Sequence, residues 1–551
     1  MEQAKGYEAV PASQAETGIQ KIAVIGSGTM GSGIAQVCLQ AGFAVTLQDI
    51  KTEQVEAAQT QISRFIRRAA EKSQFAPEQA EVMIGRLEVT TDLARAAEKA
   101  AWVIEAIFES MDAKRELFSR LNQLCPPETV FASNTSGLSI SEIGAAGGRP
   151  EQTVGMHFFN PVPLMKLVEV VRGSDTGEEI VERAVALGRK LGKTVVLCSD
   201  SPNFIVNRIN RPIGIESQLL VQEGIPAQNV DRALVLGANF KMGPLMTGDL
   251  SGLNIGLAVT ENIFRETGDP RYRPVPLLRK MVRAGYVGKK AGKGFYLYPP
   301  GAESPVPRQP ELALPEVPAP TRVAVLGEGY EARNWRGKLQ QAGLEVVEPG
   351  QNEQVALVPF EPGADYRAQF RAVATGSAPG AVFAMMNPLV PLDELAQMAS
   401  EPERVVGLQC PLPFIHDKFF EVSLGIDTTL EAAATLTALL KRLDYKFVVS
   451  PETPAGIVRR VVCAMINEAA FALQEHLASV EDIDQSMRLG MNYGLGPFEY
   501  ADRMGVDNVL ATLDYLQAET GDTRYRPAVL LRQMVRARKL GLATGRGFYD
   551  Y

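Results

Sequence analysis

A β-branched run, Lys21 to Ile25, leads straight into Gly26-Ser27-Gly28-Thr29-Met30-Gly31, and an apolar helical pattern from Ile34 to Ala41 follows at once. This order constrains the fold more than any other feature of the chain. Gly26 permits a tight turn at the strand end, Gly28 lets the backbone approach a pyrophosphate, and Gly31 allows close helix–strand packing. The helix start offers unpaired N–H groups and the positive end of its dipole. A second apolar strand, Phe43 to Asp49, completes a strand–helix–strand unit that opens a doubly wound parallel sheet. Asp49 can accept hydrogen bonds from ribose hydroxyls and would repel a 2′-phosphate, so the loop reads as a site for NAD. Its residues are Gly26, Gly28, Thr29, Met30, Gly31 and Asp49.

Further along, a polar helical stretch runs from Gln54 to Arg86, and Trp102–Ala106, Val130–Ala132, Thr153–Met156 and Thr194–Leu197 read as buried strands. From Asn203 the pattern is helical as far as Gly294-Phe295-Tyr296. A stretch dense in proline, 299–320, reads as an extended linker. The pattern then starts again. Arg322-Val-Ala-Val-Leu-Gly327-Glu-Gly329 repeats the first strand and loop, and Gly521-Asp-Thr-Arg-Tyr-Arg-Pro527 repeats Gly268-Asp-Pro-Arg-Tyr-Arg-Pro274. The second copy is shorter by roughly fifty residues, and the long helical excursion after the second strand is what it lacks.

The fold class expected is therefore an α/β Rossmann domain plus an all-α helical domain, duplicated in tandem, with a reduced and degenerate second Rossmann-like domain. The boundaries are a disordered tail at 1–18, an NAD-binding domain at 19–199 with a helical hairpin at about 52–100, and a helical domain at 200–298. The linker at 299–320, the reduced domain at 321–450 and a second helical domain at 451–551 follow.

A net charge of −8 disfavours nucleic acid as a partner, because phosphate binding needs a basic face. No apolar run reaches the ~18–20 residues that span a bilayer, and the first residues lack a signal-peptide core. Five scattered cysteines form neither a disulfide framework nor a zinc site. A reduced, cytoplasmic protein without a metal is expected.

The chemistry is concentrated in Gly155-Met-His-Phe-Phe-Asn-Pro-Val-Pro-Leu-Met-Lys-Leu-Val-Glu-Val170. Oxidising an alcohol by hydride transfer needs a base poised near neutral pH, and histidine suits that task. Glu169 stands inside an apolar Leu-Val-x-Val strand, where a carboxylate is costly unless paired. His157 is its natural partner, since a carboxylate that fixes one histidine tautomer is the orienting arrangement of catalytic triads.

With Ser133-Asn-Thr-Ser136 before it and Phe204-Ile-Val-Asn-Arg208 after it, this segment resembles the L-3-hydroxyacyl-CoA dehydrogenase family over residues 20–298. The resemblance implies oxidation of an L-3-hydroxyacyl-CoA to the 3-ketoacyl-CoA with NAD as acceptor. It implies His157 as general base, Glu169 as its orienting partner, and Ser136 and Asn207 at the reacting oxygens, with Asn160 lining the same site. Glu109, Lys114 and Lys290 would contact the dinucleotide. Ser63, Arg64, Arg67 and Arg68, with Lys72, carry excess positive charge at helical spacing, and the corresponding hairpin of the family helps to hold coenzyme A. Arg208, Arg211 and Met242 are candidates for an acyl pocket.

The second copy has lost nearly every chemical position. Gln409 stands for His157, Arg459 for Asn207, Pro388 for Ser136, Ala543 for Lys290 and Gly350 for Asp49. Glu328 and Glu331 put carboxylates at the phosphate position of the repeated loop, while Glu421 survives opposite Glu169 with His416 nearby. The second half is expected to be structural. That arrangement resembles the tandem-domain, phenylacetate-catabolic members of the family, which makes 3-hydroxyadipyl-CoA a candidate substrate beside 3-hydroxybutyryl-CoA. It implies an intrachain pseudo-dimer through the two helical domains, with a homodimer of chains as a further assembly. Rival readings are a dehydrogenase of a free hydroxy acid and a nonenzymatic NAD-binding structural protein.

Overall fold

The computed structural model describes residues 21–359, 365–386, 389–410 and 418–551. The tail expected at 1–18, and Pro388 and His416, lie outside the described residues. The chain divides into two compact units. The first holds residues up to Arg208 together with Glu475–Met491, and the second holds Ile209–Gln474 with Asn492–Tyr551.

The first unit is built on eight strands: β1 Lys21–Ile25, β2 Ala44–Gln48, β3 Leu87–Thr90, β4 Trp102–Glu105, β5 Val130–Ser133, β6 Thr153–Phe158, β7 Leu167–Arg172 and β8 Thr194–Ser199. Their order in the sheet is β3-β2-β1-β4-β5-β6-β7-β8. Strand β1 pairs parallel with β2 on one side and β4 on the other, so the order reverses at β1, where the glycine loop emerges. Only β6 and β7 pair antiparallel.

The strands are apolar on both faces because helices cover both. Ile22 and Val24 face one core with Ile34, Val45 and Ile104, whereas Ala23 and Ile25 face the other with Val103, Phe118 and Phe131. Helix α1, Thr29–Gln40, starts at the glycine loop. Helices α2, Thr52–Glu71, and α3, Pro77–Ile84, form the hairpin read from the polar stretch between the second strand and Arg86. A short helix at Val480–Met491, from the far end of the chain, belongs to this same unit.

The second unit contains a seven-stranded sheet: Glu345–Val347, Arg322–Val325, Val355–Val358, Val382–Met386, Val405–Gln409, Phe419–Leu424 and Lys446–Pro451, in that spatial order. As in the first sheet, a single antiparallel pairing falls second from the end, between Val405–Gln409 and Phe419–Leu424. No strand corresponds to β3, and only a short loop separates Val347 from Val355, where the first unit has its hairpin. The proline-dense stretch is mostly extended, but Val306–Pro307 pairs antiparallel with Tyr296–Leu297. Among the described residues no helix is long and apolar enough to cross a membrane.

Candidate active site

The glycine loop has the geometry that its residues require. Gly26 sits at φ +101°, and a Cβ on Gly31 would lie 1.8 Å from the Gly26 carbonyl oxygen, so neither position admits another side chain without a shift of backbone. A Cβ built on Gly28 meets nothing within 4 Å, which leaves the loop open on its outer side. Gly28 caps α1 with no side-chain hydrogen bond, so the first turn keeps N–H groups for an anion. Thr29 is exposed and Met30 half-buried beside it. Asp49 bonds the loop directly, its Oδ2 accepting from Ser27 N at 2.8 Å and from Ser27 Oγ at 3.0 Å. These residues fit NAD: an uncovered backbone cradle next to a carboxylate at the end of β2.

The pair expected to be catalytic comes from the antiparallel turn of the sheet. In the β6–β7 register His157 lies directly opposite Glu169. Nδ1 of His157 is 2.6 Å from Glu169 Oε2, and Oε1 accepts from the backbone N–H of Val206 at 2.9 Å. Glu169 is fully buried and His157 is 6 % exposed, packed between Phe159 and Phe204. Because Nδ1 donates to the carboxylate, Nε2 carries the basic lone pair, and it makes no hydrogen bond among the described residues. Helix α8, Val206–Gln222, follows at once, and Asn207 Nδ2 donates to the Ser136 carbonyl at 3.1 Å. Asn160 is exposed just beyond β6. His157, Glu169, Ser136 and Asn207 are thus brought together within the first unit.

Two residues expected to touch the cofactor have other partners. Lys114 is 1 % exposed, its ammonium 2.6 Å from Glu105 and 3.4 Å from Glu109. It is not a surface lysine; burial among carboxylates holds its ammonium between Glu105 and Glu109. Glu109 accepts from Thr135 Oγ1 at 2.7 Å and from Ser136 N and Oγ at 2.8 and 3.0 Å. Burial would raise its carboxyl, but Lys114 and these donors outweigh that and hold it below the usual range. Glu105 is a site residue that the sequence reading missed. It is fully buried at the end of β4 and also accepts from Ser133 Oγ at 2.6 Å and Ile107 N at 2.7 Å. The same signal that revealed Glu169, a carboxylate inside an apolar strand, could have found it.

Of the hairpin residues, Ser63 is buried on the inner face of α2 with Ile62 and Ile66. Arg67 forms a two-pronged ion pair with Glu81 of α3, at 2.7 and 3.0 Å. Arg64, Arg68 and Lys72 remain exposed. Arg208, 4 % exposed, is paired with Glu475 at 2.7 Å. Lys290 is exposed on a short 3-10 turn of the second unit, and Arg211 there is half-buried, its pKa lowered to about 10 by desolvation.

The corresponding positions of the second sheet are closed on themselves. Arg336 Nη2 donates to the carbonyls of Val325 and Gly327 at 2.8 and 2.7 Å and pairs with Glu328, so a cation and its own carboxylate cover the repeated loop. Gln409 lies opposite Glu421 where His157 lies opposite Glu169. Glu421 still accepts backbone N–H bonds from Ile457 at 2.6 Å and Val458 at 3.1 Å.

Comparison with known proteins decides the family. The model of the 3-hydroxyacyl-CoA dehydrogenase NAD binding domain matches residues 21–201. That of the 3-hydroxyacyl-CoA dehydrogenase C-terminal domain matches twice, at 204–298 and 457–551. The chain belongs to the 3-hydroxyacyl-CoA dehydrogenase family. It is an NAD-dependent oxidoreductase. It is similar along 94% of its length to 3-hydroxyadipyl-CoA dehydrogenase of Escherichia coli K12, at 33% identity over 97% of that protein. The probable 3-hydroxybutyryl-CoA dehydrogenase of Bacillus subtilis is 46% identical, with 98% of that protein matching 51% of this chain. Among solved structures, 3-hydroxybutyryl-CoA dehydrogenase from Escherichia coli K12 superposes with a TM-score of 0.78 at 32% identity, covering 94% of this chain and 98% of that one.

Proposed function

We propose that this dehydrogenase oxidises L-3-hydroxyacyl-CoA thioesters of the 3-hydroxybutyryl or 3-hydroxyadipyl type to 3-ketoacyl-CoA at one site per chain, built on His157 and Glu169. The observation that carries the reading is the 2.6 Å contact from His157 Nδ1 to a carboxylate whose other oxygen is held by Val206 N–H. His157 Nε2 takes the proton of the substrate hydroxyl, and buried Glu169 stabilises the imidazolium so formed. Ser136, whose hydroxyl donates to Glu109, presents its oxygen as an acceptor, and Asn207 and Asn160 line the same site. NAD, when bound, supplies the hydride acceptor. Gly26, Gly28, Thr29, Met30 and Gly31 would hold its pyrophosphate and Asp49 its ribose, with Glu109 and Lys290 as further contacts and Lys114 acting through Glu109. Arg64, Arg68 and Lys72 would meet the phosphates of coenzyme A.

The second half is read as a shortened duplicate without chemistry, whose helices replace a dimer partner. Within the second unit the two copies exchange equivalent contacts. Tyr525 donates to Glu216 at 2.7 Å and Tyr272 donates to Glu468, while the Arg524 guanidinium lies 3.9 Å from Glu216 and that of Arg271 2.6 Å from Glu468. Such reciprocity is the signature of a two-fold interface.

Following NADH formation with 3-hydroxybutyryl-CoA, 3-hydroxyadipyl-CoA and free 3-hydroxybutyrate tests the reading. Turnover of a thioester and not of the acid is expected, and equal turnover of the free acid overturns it.

A further inference from the structure

Two contacts from the far end of the chain converge on the first turn of α8, and a third anchors the same segment nearby. Glu475 Oε2 lies 2.7 Å from the Arg208 guanidinium, whose side chain is 5% exposed. Gly490 is so close to Val206 that a Cβ would fall 2.8 Å from one of its methyl groups and 3.2 Å from Leu167 Cδ2. The Leu477 carbonyl accepts from Ser199 N at 2.9 Å, anchoring this segment to the end of β8. The residues it grips are the ones next to the chemistry. Val206 N–H holds Glu169, Asn207 between Val206 and Arg208 reaches Ser136, and Leu167 precedes Glu169 on β7.

The second unit repeats the device in mirror image. Glu223 pairs with Arg460 at 2.7 Å, and a Cβ on Gly237 would fall 2.9 Å from Val458 and 3.0 Å from Phe419. Val458 N–H there holds Glu421. A contact set that recurs with the same residue types in the same roles is a built feature. In the mirror copy it steadies a site without a histidine; in the first unit it steadies the working one.

We infer that Glu475 and Gly490, both from the non-catalytic half, are positioning residues for the His157–Glu169 pair. They fix the first turn of α8, and that turn fixes the carboxylate. Loosening it lets Glu169 rotate away from His157 and frees the ring to leave the productive tautomer and orientation. The second half then acts on catalysis through geometry alone, which adds to the proposed role of His157 as the base and rests on it.

The test compares Glu475→Gln and Gly490→Ala with the mirror variants Glu223→Gln and Gly237→Ala in the full-length protein. Turnover of 3-hydroxybutyryl-CoA and the downfield imidazole N–H resonance of His157 are both measured. With only three histidines in the chain the resonance is assignable by His157→Gln. The inference expects about a tenfold loss of kcat in the first pair, with KM for NAD nearly unchanged and the pH profile of kcat displaced. The His157 resonance broadens or is lost in that pair and persists in the mirror pair, which keeps wild-type kcat. Equal kcat, pH profile and resonance in all four variants and wild type overturns the inference, as does equal loss in both pairs, which marks a merely structural role. Should the wild type not turn over the thioester, the proposed substrate fails, and the resonance still decides the inference. Glu475→Gln keeps the side-chain shape and so remains informative if Gly490→Ala does not fold.

Discussion

His157 and Glu169 face each other across the one antiparallel pairing of the first sheet, with Nδ1 2.6 Å from Oε2 and the other carboxylate oxygen on Val206 N–H. Both oxygens of a fully buried carboxylate are therefore used, one to hold the base and one to hold the carboxylate itself. A one-residue slip of register would send the two side chains to opposite faces. The sheet's geometry and the site's chemistry are here the same fact.

His157→Gln, the exchange already present at Gln409, is expected to lower kcat roughly 100- to 10,000-fold, while NAD affinity by fluorescence titration stays near wild type. Glu169→Gln should approach the same loss. Its amide donates toward Nδ1, forcing the proton onto Nε2 and removing the basic lone pair.

The two loop glycines should separate binding from folding. Alanine at Gly28, where a Cβ meets nothing within 4 Å, is expected to change stability by about 0.5 kcal/mol or less and to weaken NAD binding. Alanine at Gly31, 1.8 Å from a backbone oxygen, should cost about 1–3 kcal/mol or more and lower Tm measurably.

On the hairpin, Arg64→Glu and Arg68→Glu together should raise KM for the CoA thioester about tenfold at low salt, less at high salt, with kcat unchanged. Arg67→Ala should show a smaller rise, because that guanidinium is already paired with Glu81. A steady-state series at two ionic strengths reads both.

Glu421 gives the fold a pH dependence. Burial pushes its carboxyl up to about 7, against the N–H groups of Ile457 and Val458 and nearby Arg459. The unfolded group titrates near 4.3. Since the folded value is the higher, the folded state binds more protons between these limits, and stability falls as pH rises from about 4.5 to 7. Glu421→Gln should flatten that part of the profile in urea denaturation followed across pH. A slope unchanged in the variant would assign the dependence to other groups.

Much of the site was legible because its chemistry is local in the chain. The glycine spacing, Asp49 ending the next strand, and a carboxylate stranded among Leu167, Val168 and Val170 each state a physical requirement that few environments satisfy. The surroundings of Lys114 were hidden for the opposite reason. A lysine on a helix looks exposed in sequence, and only the packing of α5, Met111–Leu124, against β4 shows its ammonium buried on Glu105. The burial of Ser63 was hidden likewise, because its neighbours Arg64, Arg67 and Arg68 advertise a charged face that Ser63 does not share.

The sequence by itself determined the glycine loop, the histidine and carboxylate of the candidate site, and the different residues, Glu328, Glu331 and Gln409, at the matching positions further along. These depend on residue identity at short range, where side-chain chemistry and backbone freedom are set by the amino acid. Tertiary structure alone decided that β7 runs against β6, so that Glu169 meets His157, and that Glu475 and Gly490 come back to grip α8 beside them. Contacts between residues hundreds of positions apart depend on how sheets and helices fill a shared core, and no local pattern records that.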